Sequence, residues 1–162
     1  MKTCKIYKGA IIVNGSFVFE MLGGDFSTFA KGAYKHLGID YPKFFKMDAL
    51  SKLAFLGVEY LLEGFTAEEK EGLALVFANH SASLDTDLRH QETIQDPNNY
   101  YPSPAIFVYT LPNICLGEIA IRHGLRTESS FFIFDQYPSE FFSQYSQFLL
   151  QAGKAKKVLC AW

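Results

Sequence analysis

Long apolar runs are missing from this sequence, and no stretch approaches the roughly 18 residues of a membrane span. Lys5 and Lys8 before Ala10 to Val13 superficially resemble a signal peptide, but the apolar run is too short and is broken by Lys8 and Asn14. Cysteine is scarce: Cys4, Cys115 and Cys160 form no CxxC pair and make an odd total, so neither a zinc knuckle nor a disulfide framework is indicated. A reducing cytoplasm is therefore the expected location, and each cysteine, set among apolar neighbours, reads as a small buried hydrophobe. Charge of one sign is also lacking. The formal net charge is -2 and the basic residues are scattered, which leaves no footprint for a nucleic-acid backbone. No GxGxxG or GxxxxGK[ST] loop follows a strand, so dinucleotide and P-loop readings fall away and no cofactor is expected.

Apolar side chains, by contrast, are plentiful. They make up 49% of the chain, with 16 Phe and 9 Tyr against 20% charged residues, a balance that argues for a packed core and against disorder. The length of 162 residues fits one domain spanning 1-162.

Cys4 to Glu20 is rich in β-branched and aromatic residues around an Asn14-Gly15 turn and reads as one or two strands. Phe26, Phe29, Ala30, Ala33 and Tyr34 recur at helical spacing before Gly38. Asp48 caps a helix in which Leu50, Leu53, Ala54, Val58, Leu61 and Leu62 form the inward face, up to Gly64. Thr66 to Glu69 matches a capping box, and Leu73 to Ala78 reads as a strand buried on both faces. Asn79 to Ser103 is polar and is expected to be a long loop with a short helix. Ala105 to Thr110 reads as a strand, and Pro112 introduces a helix to His123 with Ile114, Gly117 and Ile121 on one face. Ser130 to Phe134 is a strand. Pro138 introduces a helix striped by Phe141, Phe142, Tyr145, Phe148, Leu149 and Ala152, and Lys157 to Trp162 is the last strand, with no tail expected after it. The alternation predicts an α/β fold with a mostly parallel sheet of about five strands and helices on its faces.

Three segments carry a family resemblance. Phe44-Phe45-Lys46-Met47-Asp48-Ala49-Leu50-Ser51-Lys52-Leu53-Ala54, then Leu111-Pro112-Asn113 through Gly117 to Gly124-Leu125-Arg126, and finally Ser146 to Trp162 resemble the N-terminal half of β-ketoacyl synthases. The resemblance covers residues 44 to 162 and implies a single thiolase-like half. Counted on from Leu125-Arg126, the family's Thr-Ala-Cys, with its acylated cysteine, falls on Phe134-Asp135-Gln136. The family's Gly-Pro after Leu-Arg is replaced by Thr127-Glu128. The resemblance puts Gln136 at the nucleophile's place and assigns substrate or partner contact to Asn113, Phe134 and Asp135. It also implies an acyl carrier protein or a partner ketosynthase subunit as partner, and self-association through Ser130 to Phe134.

A carboxamide cannot do thiolate chemistry. Gln136 reads either as a hydrogen-bond donor to a thioester carbonyl or as a polar residue at a turn. Cys115 lies inside a helical pattern, and the resemblance implies that it belongs to packing or a subunit contact. His80, Asp85 and Asp87 match no common ligand spacing, so caps and turns explain them better than a metal. Ser81 or Ser83 beside His80 makes no triad, and no GxSxG elbow exists. His36, His90 and His123 need no catalytic explanation. The expected function is an accessory or chain-length-factor-like protein of fatty-acid, polyketide or aryl-polyene type pathways, without a second half and without condensing activity of its own. A malonyl-thioester decarboxylase using Gln136, or a stand-alone small-ligand module, are the alternatives.

Overall fold

The computed structural model describes all 162 residues. The chain is mixed α/β, with seven helices and two three-stranded sheets. The chain divides into two compact units, Met1–Gly64 and Phe65–Trp162. No single helix is long and apolar enough to cross a membrane.

The first unit opens with an antiparallel sheet in the order β1 (Cys4–Tyr7), β2 (Ala10–Val13), β3 (Ser16–Glu20). Three strands stand where one or two were expected. Both connections are two-residue turns with positive φ at each central residue, Lys8 and Gly9 in one, Asn14 and Gly15 in the other, which is the hairpin geometry that matches strand twist. Asn-Gly announces itself in sequence; a lysine in the left-handed region does not. Gly9 is required for a second reason, since a Cβ there would run into the Met21 carbonyl. Two-residue turns can join only antiparallel neighbours, so these strands form a sheet of their own and add nothing to a parallel one.

Helix α1 (Phe26–Leu37) is capped by Asp25, whose carboxylate accepts from Thr28 N at 2.8 Å, and ends on Gly38 at φ 62°. A short 3-10 turn, Pro42–Lys46, leads to α2 (Ala49–Leu62), capped by Asp48 as expected. The inward face of α2 differs from the one read in the sequence. Ser51, Phe55, Val58, Glu59 and Leu62 are buried, whereas Leu53 is 41% exposed.

The second unit begins with α3 (Ala67–Lys70), where the capping box of Thr66 and Glu69 is formed in both directions. Strand β4 (Leu73–Asn79) is central in a parallel sheet ordered β5-β4-β6, with β5 at Ser129–Ile133 and β6 at Lys157–Ala161. The five-stranded parallel sheet is thus replaced by three parallel strands. Besides the N-terminal hairpins, the other reason is Ala105 to Thr110, which forms α5 (Pro104–Phe107) and a 3-10 turn (Val108–Thr110) instead of a strand. Ser103 accepts from Ile106 N and Pro104 occupies the first helical turn, two start signals that outweigh the β-branched side chains of a short apolar run. Helix α4 (Leu84–Glu92) lies inside the expected loop.

Helix α6 (Ile114–His123) buries Cys115, Leu116, Glu118 and Ile119, and leaves Ile121 68% exposed, so its expected face is also rotated. Helix α7 (Ser139–Gln151) seats Phe142 and Leu149 on Ala74, Val76 and Ala78, alternate residues on one face of β4, while Phe148 points outward.

Two exposed carboxylates have their pKa values lowered by caps. The Thr28 hydroxyl, then its backbone N–H, holds Asp25 below the usual range, and the backbone N–H and hydroxyl of Thr66 do the same for Glu69. A folded-state pKa below the unfolded value gives stability that is present above the unfolded pKa and lost as pH falls through the folded one. Thermal stability should therefore hold down to about pH 5 and fall below about pH 4, the ordinary carboxylate range. The double variant Asp25→Asn, Glu69→Gln should show a shallower fall in melting scans, and an unchanged slope would exclude these caps as contributors.

Candidate functional site

The parallel sheet decides where a site can stand. The connection from β4 to β5 and the return from β5 across β4 to β6 run in opposite directions, and right-handed crossovers in opposite directions lie on opposite faces of a sheet. The loops that leave β4 and β5 therefore diverge at their carboxyl ends, the place where open α/β sheets bind ligands. Backbone pairing sets the two loops side by side. Asn79 is in register with Ile133, and Phe134 N donates to Asn79 O at 3.1 Å.

The β4 loop is rigidly folded. The Asn79 side chain accepts from Ala82 N and donates to Ala82 O, both at 2.8 Å, and so holds Ala82 at φ 50°. Ser83 Oγ donates to Thr110 O at 2.6 Å and lies 3.1 Å from Asp87 Oδ1. His80 Nδ1 stands 3.0 Å from Ser81 Oγ, with both residues exposed. The Asn79 bonds close a turn and the Ser83 hydroxyl ties the loop to Thr110, and no group of three or more His, Cys, Asp or Glu side chains converges on a common point for a metal ion.

The β5 loop carries Phe134, Asp135 and Gln136 between the last strand residue, Ile133, and the first residue of α7, Ser139. This is a strand-to-helix junction. Asp135 and Gln136 are exposed. Phe134 is half-buried and turned toward the helix, with its ring 4.9 Å from Phe141 and 6.3 Å from Phe132. Its side chain packs α7, so only its backbone borders the loop. Asn113 sits exposed at the N-cap of α6.

No family model matches the chain, and no curated protein matches it.

No thiol stands at the β5 junction. Cys115 is buried in α6, and Cys4 is half-buried in β1, where desolvation pushes its thiol up despite the opposing charge of Lys2. Cys160 departs from its expected burial. It lies on β6 next to buried Leu159, and strand alternation turns it outward, with Sγ 3.2 Å from Ser146 Oγ.

An aromatic pair at the same end of the sheet escaped the sequence reading. Tyr137, in the β5 loop, meets Trp162, just after β6, at 6.2 Å in an edge-to-face arrangement, and both are about half exposed or more. Their rings reach across the carboxyl end of β4. The available signal was an aromatic residue directly after each of two apolar strands. The assembled edge thus offers a carboxamide, a carboxylate, an imidazole–hydroxyl pair and an exposed apolar bar. It can hold a polar carbonyl-bearing group beside an apolar chain.

The first unit contains a separate open hollow of about 400 Å³ lined by Tyr7, Lys8, Met21, Phe26 and Phe29 among others. The buried Tyr60 hydroxyl nearby in sequence to α2's end donates to Ala33 O at 3.1 Å and meets His36 Nδ1 at 3.0 Å, and burial raises its pKa. It is a satisfied core group.

Proposed function

We propose that this chain is a β-ketoacyl synthase-like accessory protein, with a thiolase-like half over residues 44 to 162, engaging an acyl carrier protein or a partner synthase of fatty-acid, polyketide or aryl-polyene type and performing no condensation itself. The observation that carries the reading is the Phe134–Gln136 segment, which leaves a parallel strand for a helix where the resembling family keeps its cysteine. Acyl transfer at such an elbow needs a thiolate, and Gln136 offers only amide hydrogen-bond donors and an acceptor. Its exposed carboxamide is suited to meet a thioester carbonyl, with the Tyr137–Trp162 bar beside it for apolar chain.

Incubation with an acylated carrier protein should leave the intact mass of the chain unchanged while the acyl carrier binds. Gln136→Ala should weaken binding by roughly 2- to 10-fold, the worth of one hydrogen bond. A covalent acyl adduct would overturn the proposal, as would binding indifferent to Gln136.

A further inference from the structure

Helix α1 turns Lys31, Tyr34, Lys35 and its cap Gly38 to one side, at the spacing that lines up one face of a helix. With Ile39 and Phe45 they line an open hollow of about 520 Å³ in the first unit, within the roughly 300–1,000 Å³ of small-ligand sites. It shares no residue with the hollow at Met21 and Phe26. Its apolar part is aromatic and uncovered: Phe45 is 53% exposed, its ring edge-on to Tyr34 at 5.0 Å, and Tyr34 also stacks on Phe44 at 4.5 Å. The Tyr34 hydroxyl is already committed, since it accepts from Tyr41 N at 2.6 Å. A polar contact to anything in the hollow must come from the lysines.

Both lysines are exposed, and neither ammonium takes part in a hydrogen bond or salt bridge within the chain. Lys31 acts only weakly on Asp25, whose carboxylate is tied to Thr28 in the helix cap. No acidic residue lines the hollow; Asp40 follows Ile39 but stands outside the lining. Like charges four residues apart on a helix repel, so two unpaired ammonium groups over an aromatic floor are a cost that an anion between them removes. The helix dipole accounts for Lys35, in the last turn, but not for Lys31, one turn earlier.

We propose that this hollow binds a small aromatic anion, a carboxylate or sulfonate on a planar ring system, with the ring against Phe45 and Tyr34 and the charge between Lys31 and Lys35. The lysine pair selects the sign of the charge. The exposed ring selects an aromatic body, because ring pairs are worth more than the apolar area they bury. The hollow is open, so the dissociation constant is modest, roughly 0.1–1 mM. The site lies in the first unit and does not rest on the accessory-protein reading.

Amide NMR titration of the isotope-labelled full chain tests it with three probes of one shape: naphthoate, neutral naphthamide and cationic naphthylmethylammonium. Naphthoate should saturate, with shifts concentrated in residues 31–45, and should bind roughly 2- to 10-fold more tightly than naphthamide, the worth of two exposed charge contacts. The cation should bind most weakly. In the double variant Lys31→Gln, Lys35→Gln, naphthoate should fall to the level of naphthamide while naphthamide is unchanged; glutamine keeps the helix propensity of lysine, and an unaltered spectrum elsewhere verifies the fold. Lys31→Arg with Lys35→Arg should keep the preference for the anion. Naphthoate that never saturates by millimolar concentration, that binds no better than the cation, that shifts residues elsewhere instead, or that binds the glutamine variant as it binds the wild type would each overturn the proposal.

Discussion

Leu149→Ala is expected to lower the unfolding free energy by about 2–5 kcal/mol, the range for a buried leucine truncated to alanine. The upper half of that range is favoured by what surrounds it. Leu149 is fully buried on Ala74, Val76 and Ala78 of β4, two alanines without rotamers and a valine stiff at χ1, so little can swing into the vacated space and the cavity persists. Its backbone is committed as well, since its carbonyl accepts from Lys154 N at 2.9 Å and Ala155 N at 3.2 Å and so ends α7. Domains are stable by only about 5–15 kcal/mol, and for one of about 100 residues each kcal/mol is worth roughly 4–8 °C. Urea unfolding should show a lower midpoint at an unchanged slope. Phe148→Ala, one position away and 51% exposed, is the control and should cost less than about 1 kcal/mol. Equal losses in the two variants would mean that α7 presents a different face to the sheet. The consequence reaches the candidate site, because α7 begins immediately after the loop that carries Gln136.

The elements that could be read from the sequence are those whose ends are marked chemically. Asp48, the Thr66–Glu69 box, Gly38 and Gly124 each satisfy or terminate backbone groups locally, and the helices they bound lie where expected. Faces were less legible. Helix α2 carries apolar residues almost all round, so spacing alone could not tell the Leu53 side from the Phe55 side, and only packing decides it. In α6 the buried set includes Glu118, which accepts from the Tyr109 hydroxyl at 3.2 Å. A hydropathy pattern counts that carboxylate as surface and rotates the helix accordingly. Ala105 to Thr110 failed for another reason, since a short apolar run has no intrinsic period and its capping serine lies outside it.

The candidate site was legible in half. The sequence pointed to the loop after Phe134 through the family resemblance, and left the polar cluster after Ala78 to caps and turns. Their adjacency comes from the parallel register of β4 and β5, a long-range pairing that no local pattern encodes. Tyr137 and Trp162 were missed because an aromatic at a loop start reads as core until strand order places both at one end of the sheet.

Phe55→Ala should cost about 3–5 kcal/mol, the range for a buried phenylalanine, and is the corresponding test of the first unit. Phe55 is fully buried, its ring stacked on Tyr41 at 5.4 Å with 9° between planes and 5.5 Å from Phe44. Phe44 in turn stacks on Tyr34 of α1 at 4.5 Å. The ring therefore links α2 to the 3-10 turn and, through it, to α1, and truncation removes both apolar burial and two ring contacts worth about 0.5–1.5 kcal/mol each beyond area. Phe55→Leu separates the two contributions, because it keeps most of the apolar burial and loses the stacking; its cost should be about 1–3 kcal/mol, the worth of the two ring contacts. Near-ultraviolet circular dichroism should report the alanine variant directly, as Tyr41 loses its stacked partner and its fixed surroundings. If the alanine variant unfolded at the same denaturant concentration as the leucine variant, the aromatic cluster would not be the centre of the first unit's core, and the rotated face assigned to α2 would be wrong.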